Sequence, residues 1–173
     1  MRRRDFLSLV TAGTGGALLS SCSYKLSQSG ASTVGLKTIN VQYFENNAQL
    51  VVATLSQSFT EALKNRIRSQ TSLSIVRGEA DAIMGGSITG YTIAPVSIEA
   101  TNPNQPPIAG ASRLTITVNV KYTNDKDKKL SFDESFSKYA NFTGDINARE
   151  QALIQDITKQ LTDDIFNRAF ASW

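Results

Sequence analysis

The feature that most constrains this chain is a strict alternation of apolar and polar residues over residues 113–123. A period of two places successive side chains on opposite faces of a β-strand, so this segment predicts a strand with one buried face and one wet face. A second layer of structure must then cover the apolar face. The members of that face are Leu114, Ile116, Val118, Val120 and Tyr122.

Four further segments have the alternation or the composition of strands, and they cover residues 36–44, 73–76, 83–98 and 130–139. The first is expected to end at residues 45–47. Glycines and Pro95 interrupt the third segment, which predicts bulges or an edge position. Residues 101–111 predict a long exposed loop, because adjacent prolines cannot donate to a strand ladder. Residues 124–128 predict a hairpin turn.

Two segments change to the helical period. Over residues 53–70 and 147–170, apolar residues recur every three or four positions opposite polar ones, which predicts two amphipathic helices. Thr54 and Asn147 are the expected N-caps. Two apolar stripes and a one-sided sheet can bury one another only in two stacked layers. We therefore predict an α/β two-layer sandwich, with a mixed sheet of four to five strands against two helices, ordered βαβ, β-meander and C-terminal helix.

The N-terminus has the layout of an export signal. Three arginines at positions 2–4 precede an apolar stretch over residues 6–19, and Leu19-Ser20-Ser21-Cys22 follows. A membrane-spanning helix needs roughly 20 predominantly apolar residues, so this stretch is too short to span a bilayer. Either the general secretion route or a twin-arginine route fits the basic residues.

Residues 19–22 closely resemble the lipobox of bacterial lipoproteins. This resemblance implies cleavage before Cys22 and acylation of its thiol, which would tether the mature chain to a membrane. We expect a lipoprotein signal peptide over residues 1–21, a lipid-anchored flexible spacer over residues 22–35, and one domain over residues 36–173.

The side-chain inventory leaves little equipment for catalysis. The chain has no histidine, and Cys22 is its only cysteine. These facts exclude His/Cys zinc sites, Ser-His-Asp triads and internal disulfides, so we expect no enzyme activity, metal or cofactor. A hydrolase that uses only carboxylates is a minor alternative. Without the three arginines and one aspartate of the leader, 15 basic and 14 acidic side chains remain, and we expect no nucleic-acid partner.

Several short segments occur in a characteristic order along the chain. They are Cys22-Ser23-Tyr24, residues 37–44 with Asn46 and Asn47, residues 55–63, Gly90-Tyr91, residues 113–116, and residues 164–167 close to Trp173. Together they resemble the LptE-like lipopolysaccharide-assembly lipoproteins, which plug the barrel of the outer-membrane lipopolysaccharide translocon. The resemblance implies a two-helix, mixed-sheet sandwich, an LptD-like β-barrel partner, contact with lipopolysaccharide, and an outer-membrane location.

Basic loop residues are implicated in lipid contact in that family. By charge alone, the candidates for lipopolysaccharide binding are Arg113, Lys126, Lys128 and Lys129. The alternative function is a stand-alone envelope lipoprotein that binds a glycan or small ligand. It would use the polar and aromatic sheet face, for which Tyr91 and Tyr122 are expected to be available.

Overall fold

The computed structural model describes Thr33, residues 35–98 and residues 108–171. The predicted leader, Cys22, most of the predicted spacer and residues 101–107 of the predicted loop lie outside these residues. The elements are β1 (Thr38–Val41), β2 (Glu45–Asn46), α1 (Leu55–Gln70), β3 (Ser74–Ile75), β4 (Ala82–Ile98), β5 (Ile108–Asn124), a 3-10 turn (Lys128–Leu130), β6 (Phe132–Thr143) and α2 (Glu150–Phe170). Neither helix combines the length and apolar character that crossing a bilayer requires.

The strands form one mixed sheet in the order β3-β1-β4-β5-β6, with β2 also paired to β4. Strand β1 is parallel to β3 and β4, so β1, α1 and β3 form the predicted βαβ unit. Strands β4, β5 and β6 are the predicted antiparallel meander. The two-layer α/β sandwich is confirmed. The sheet has six strands because β2 is a separate short strand.

The first strand departs from its predicted alternation at its end. Tyr43 is 57% exposed, whereas Phe44 is fully buried. The Phe44 ring packs edge-on against Phe59 of α1, with ring centroids 5.1 Å apart, and the Phe44 amide donates to Thr60 Oγ1 at 3.1 Å. Burial of this aromatic ring against the helix overrides the local period of two. The chain then pairs again as Glu45–Asn46, so the expected end of the strand is wrong.

The core lies between the sheet and the helices. The predicted buried face of β5 is confirmed, because Leu114, Ile116, Val118, Val120 and Tyr122 are all at most 1% exposed. The helical stripes on the other side of the core include Leu55, Phe59, Leu63 and Ile67 of α1, and Ile157, Leu161 and Ile165 of α2. Thr54 is the N-cap residue of α1, as predicted, although its side chain makes no cap bond. The predicted cap of α2 is wrong: its N-cap is Arg149, and Asn147 donates to Asp145 Oδ1 before the helix begins.

Strand β4 has a neighbouring strand on both edges along its first half and on only one edge along its second half. Residues 82–88 lie between β5 and the β1–β2 side, whereas beyond Ile88 only β5 pairs with β4. Register shifts between Ile88 and Gly90 and between Val96 and Ile98 confirm the predicted bulges. The predicted loop is too long, because β5 begins at Ile108 and pairs with Ile98.

The opposite edge strand, β6, carries two charged side chains on the helix side of the sheet. Glu134 pairs with Arg168 at 2.7 Å, and Lys138 pairs with Asp164 at 2.7 Å. Inward-pointing charges discourage an edge strand from pairing with another chain. Here they also bind β6 to the flank of α2.

Gly86 allows the close approach of β4 to β5. Its φ is +156°, and a Cβ at this position would lie 2.0 Å from the backbone oxygen of Asn119 and 3.0 Å from Phe44 Cε1. Neither neighbour is the free end of a flexible side chain. A side chain here would therefore push β4 away from both the adjacent strand and the core.

We predict that Gly86→Ala lowers the free energy of unfolding by about 3 kcal/mol, because the new methyl group must displace backbone. The control is Gly110→Ala, where φ is +76° and no atom of the described residues lies within 4 Å of the added Cβ. That variant should cost only about 1 kcal/mol for the left-handed conformation. Urea unfolding of a soluble domain spanning residues 33–173 measures both. Equal losses in the two variants would contradict the close contact.

Candidate functional site

The sheet has an outer face, the one turned away from the helices, and this face is polar. Register places Lys121 opposite Asp133, Asn119 opposite Ser135, and Thr117 opposite Ser137. The Thr117 and Ser137 hydroxyls lie 3.0 Å apart and share a hydrogen bond. The predicted wet face is thus confirmed. Its rows on β5 and β6 consist of Arg113, Thr115, Thr117, Asn119, Lys121 and Thr123, and of Asp133, Ser135, Ser137, Tyr139 and Asn141.

The two tyrosines expected on this face lie on the other side of the sheet. Tyr91 is 3% exposed and Tyr122 is 1% exposed. The Tyr91 hydroxyl donates to Glu150 Oε1 at 2.7 Å. Burial is the larger cause, and this hydrogen bond the smaller one, of a raised pKa for Tyr91. Burial raises the pKa of Tyr122 to about 12. Both are core residues, and the aromatic side chain that the outer face does present is Tyr139.

Arg113 lies at one end of the outer face. Its guanidinium carbon is 3.9 Å from the centre of the Tyr139 ring, and its Nε donates to Asn141 Oδ1 at 2.9 Å. Within the described ranges, no carboxylate forms an ion pair with it. The stacked ring and the amide hold the planar guanidinium in one orientation with its charge unneutralised. Such a group is suited to bind a phosphate or carboxylate.

The three candidate lysines lie roughly 35 Å from Arg113 along β5, at the β5–β6 turn. Lys126 Nζ is 2.9 Å from Asp81 Oδ1, and Lys128 Nζ is 2.5 Å from Asp125 Oδ1. In that region of the chain, Lys129 has no ion pair, although its backbone amide donates to Asp127 Oδ1. The structure therefore does not gather the four basic candidates into one site. Lys126 and Lys128 already form ion pairs with acidic neighbours.

Asp81 organises this end of the sheet. Its Oδ2 accepts hydrogen bonds from the backbone amides of Lys37 and Thr38, at 2.9 and 3.0 Å, and from Thr38 Oγ1 at 3.1 Å. The Lys126 ammonium and these two amides hold the pKa of the Asp81 carboxyl far below its usual range. Sequence reasoning missed Asp81, because partners more than 40 residues away leave no local pattern.

We predict that Asp81→Asn lowers the urea midpoint of the soluble domain at pH 7. Because the folded pKa of Asp81 is depressed, its stabilisation is complete well above the unfolded pKa of 3.8 and is lost as the pH falls below it. The difference from wild type should therefore shrink progressively below pH 4. Glu79→Gln, an exposed neighbour in the same loop, is the control for the lost charge. A difference that does not depend on pH would contradict the ionic contribution.

A groove of about 440 Å³ lies between α1 and α2. Its lining includes Ser58 and Ala62 of α1, and Thr158 of α2. Arg66 Nε lies 3.1 Å from Asp163 Oδ1 at one end. Asp163 and its neighbour Asp164 thus form separate ion pairs, with Arg66 and Lys138 respectively. In the part of the chain that the structure describes, no three acidic or sulfur ligands are grouped to hold a metal ion.

Comparison with known proteins gives one family and one fold. The sequence profile of the family LptE, lipopolysaccharide-assembly, matches residues 36–169. No curated protein sequence matches the chain. Rare lipoprotein B from Shewanella oneidensis superposes with a TM-score of 0.51 at 10% identity, over 76% of this chain and 92% of that one. A hypothetical protein from Chlamydia trachomatis superposes with a TM-score of 0.53 at 9% identity, over 79% of this chain and 99% of that one. These two likenesses concern the fold alone.

Proposed function

The chain belongs to the LptE lipopolysaccharide-assembly family, and on that premise we propose that it is an outer-membrane lipoprotein that plugs an LptD-like β-barrel. In this role it aids the transport of lipopolysaccharide and its insertion into the outer leaflet, and it catalyses no reaction. The observation that carries the proposal is the family match over residues 36–169, which includes every described strand and nearly all of α2.

Acylation of Cys22 would tether the domain. Eleven steps of chain separate Cys22 from Thr33, and at about 3.5 Å each they reach at most roughly 40 Å. Gly35 lies beside Lys126, because a Cβ built on it would be 3.8 Å from the Lys126 Cβ. The tether would therefore leave the domain at the β5–β6 turn. That end of the sheet would be the one nearest the anchoring leaflet.

The outer face supports the role of a plug. The interior of an outer-membrane barrel is polar, and a sheet face rich in hydroxyl and amide groups suits such a wall. The helices cover the buried row of β5 on the opposite face of the same sheet, so the outer face presents polar groups without exposing that row.

Purification of the tagged protein from outer membranes tests the proposal. We expect a β-barrel protein to be recovered with it in stoichiometric amount, and the intact mass should show a chain that begins at an acylated Cys22. Depletion of the protein should leave lipopolysaccharide short of the cell surface. If no barrel protein is recovered and surface lipopolysaccharide is unchanged, the proposed role is wrong.

Arg113 is the candidate best placed to contact lipopolysaccharide. Its charge has no acidic partner in the described ranges, and Tyr139 and Asn141 fix its plane. Lys126 and Lys128, in contrast, must give up an ion pair before they can bind an anion. Phosphate groups bind arginine through two parallel hydrogen bonds, which a preoriented guanidinium makes at low entropic cost.

We predict that Arg113→Ala weakens lipopolysaccharide binding about tenfold, the loss expected for hydrogen bonds to a charged group. Arg113→Lys should restore only part of the affinity, because an ammonium lacks the planar fork. Lys128→Ala is the matched control and should change affinity less than about twofold, since an exposed ion pair contributes little. Titration of the purified protein with lipopolysaccharide measures all three. A larger loss for Lys128→Ala than for Arg113→Ala would reverse the assignment.

A further inference from the structure

A hollow of about 440 Å³ lies on the outer face, across β4, β5 and β6 and beside the end of β1. Polar side chains surround a floor that contains two glycines. Its lining includes Gln42, Gly85, Asn119, Lys121, Thr123 and Asp133. Its volume falls within the range of about 300–1,000 Å³ that is usual for small-molecule sites.

The hollow depends on the absence of side chains in β4. A Cβ at Gly85 would lie 2.2 Å from Gln42 Oε1 and 3.2 Å from Gln42 Cβ. Gly86 brings β4 so close to Asn119 that it admits no side chain either. The two glycines therefore lower the floor between Gln42 on one side and Asn119 and Lys121 on the other.

The groups around the floor can both donate and accept hydrogen bonds. They comprise two amides, an ammonium, a hydroxyl and a carboxylate. None of these five side chains has a hydrogen-bonding or ionic partner among the residues that the structure describes. Lys121 and Asp133 are register partners across β5 and β6, yet they form no ion pair with each other. Their hydrogen-bonding capacity is available to a ligand.

We infer that this hollow binds one unit of a saccharide. A sugar ring offers several adjacent hydroxyls, and each can donate and accept, which matches closely spaced amide, carboxylate and hydroxyl groups. Lys121 adds a cation for a carboxylate or phosphate substituent. An acyl chain does not fit, because it would leave these polar groups without partners.

The natural source of the sugar rests on the proposed function: it is the saccharide part of lipopolysaccharide. Arg113 lies on the same face as Lys121 and eight residues away along β5, which is roughly 27 Å. A saccharide chain seated in the hollow could therefore extend along the outer face toward Arg113. Another envelope glycan would share the same chemistry, so the experiment must separate the two sources.

The test measures binding to the full mature protein in detergent by calorimetry. The probes are lipopolysaccharide stripped of its acyl chains, lipid A freed of its core sugars, and disaccharide fragments of peptidoglycan. The variants are Asn119→Ala, Lys121→Ala and Gly85→Ala, which fills the floor. The matched controls are Gln155→Ala, an exposed amide on α2, and Lys159→Ala, an exposed lysine on the same helix. Melting temperatures identify any variant that fails to fold.

We expect the deacylated saccharide to bind, and each hollow variant to weaken it about tenfold while the controls leave it unchanged. If only peptidoglycan fragments bind in this way, the hollow is a saccharide site, but lipopolysaccharide is not the source of its ligand. If no saccharide binds, or if the hollow variants bind like wild type, the inference is wrong. Recovery of the barrel protein by the same variants shows separately whether the proposed plug role holds.

Discussion

The structure depends on the burial of one face of a sheet by two helices. Leu114, Ile116, Val118 and Val120 are fully buried, and the helical stripes are the surface that removes them from water. Apolar burial is the main favourable term in folding, so loss of α2, which packs against β5 and β6, would expose much of this row. Both helices lie on the same face of the sheet. Helix α1 connects the parallel strands β1 and β3, and α2 follows β6 and packs back over it.

Because the helices cover one face of the sheet, the parts of the sheet that remain open to a partner are the outer face and the ends. The outer face combines an oriented Arg113 at one end with a glycine-floored hollow toward the other. The turn between β5 and β6 has a different role. Its lysines are largely neutralised, and Lys126 joins Asp81 to hold the start of β1, the loop before β4 and the turn together. Basic residues of similar appearance in the sequence thus do different work in the fold.

The correct predictions rest on local periodicity. The buried row of β5, both helices and the meander are visible in spacing alone, because each is a regular element with one wet side. The predictions that were wrong concern residues whose environment comes from distant parts of the chain. Phe44 leaves the alternation and packs against Phe59 of α1. Tyr91 lies on the helix side of the sheet, opposite Ile116, where Glu150 of α2 accepts its hydroxyl.

The sequence by itself determined the two-layer class, the lack of histidine and the order of segments that marks the family. These features depend on composition and on neighbours within a few positions, which a linear chain displays directly. Only the tertiary structure decided which cations are free. Arg113 meets Tyr139 and Lys126 meets Asp81 across strands, and a charge is neutralised by whatever lies within a few ångströms of it in space.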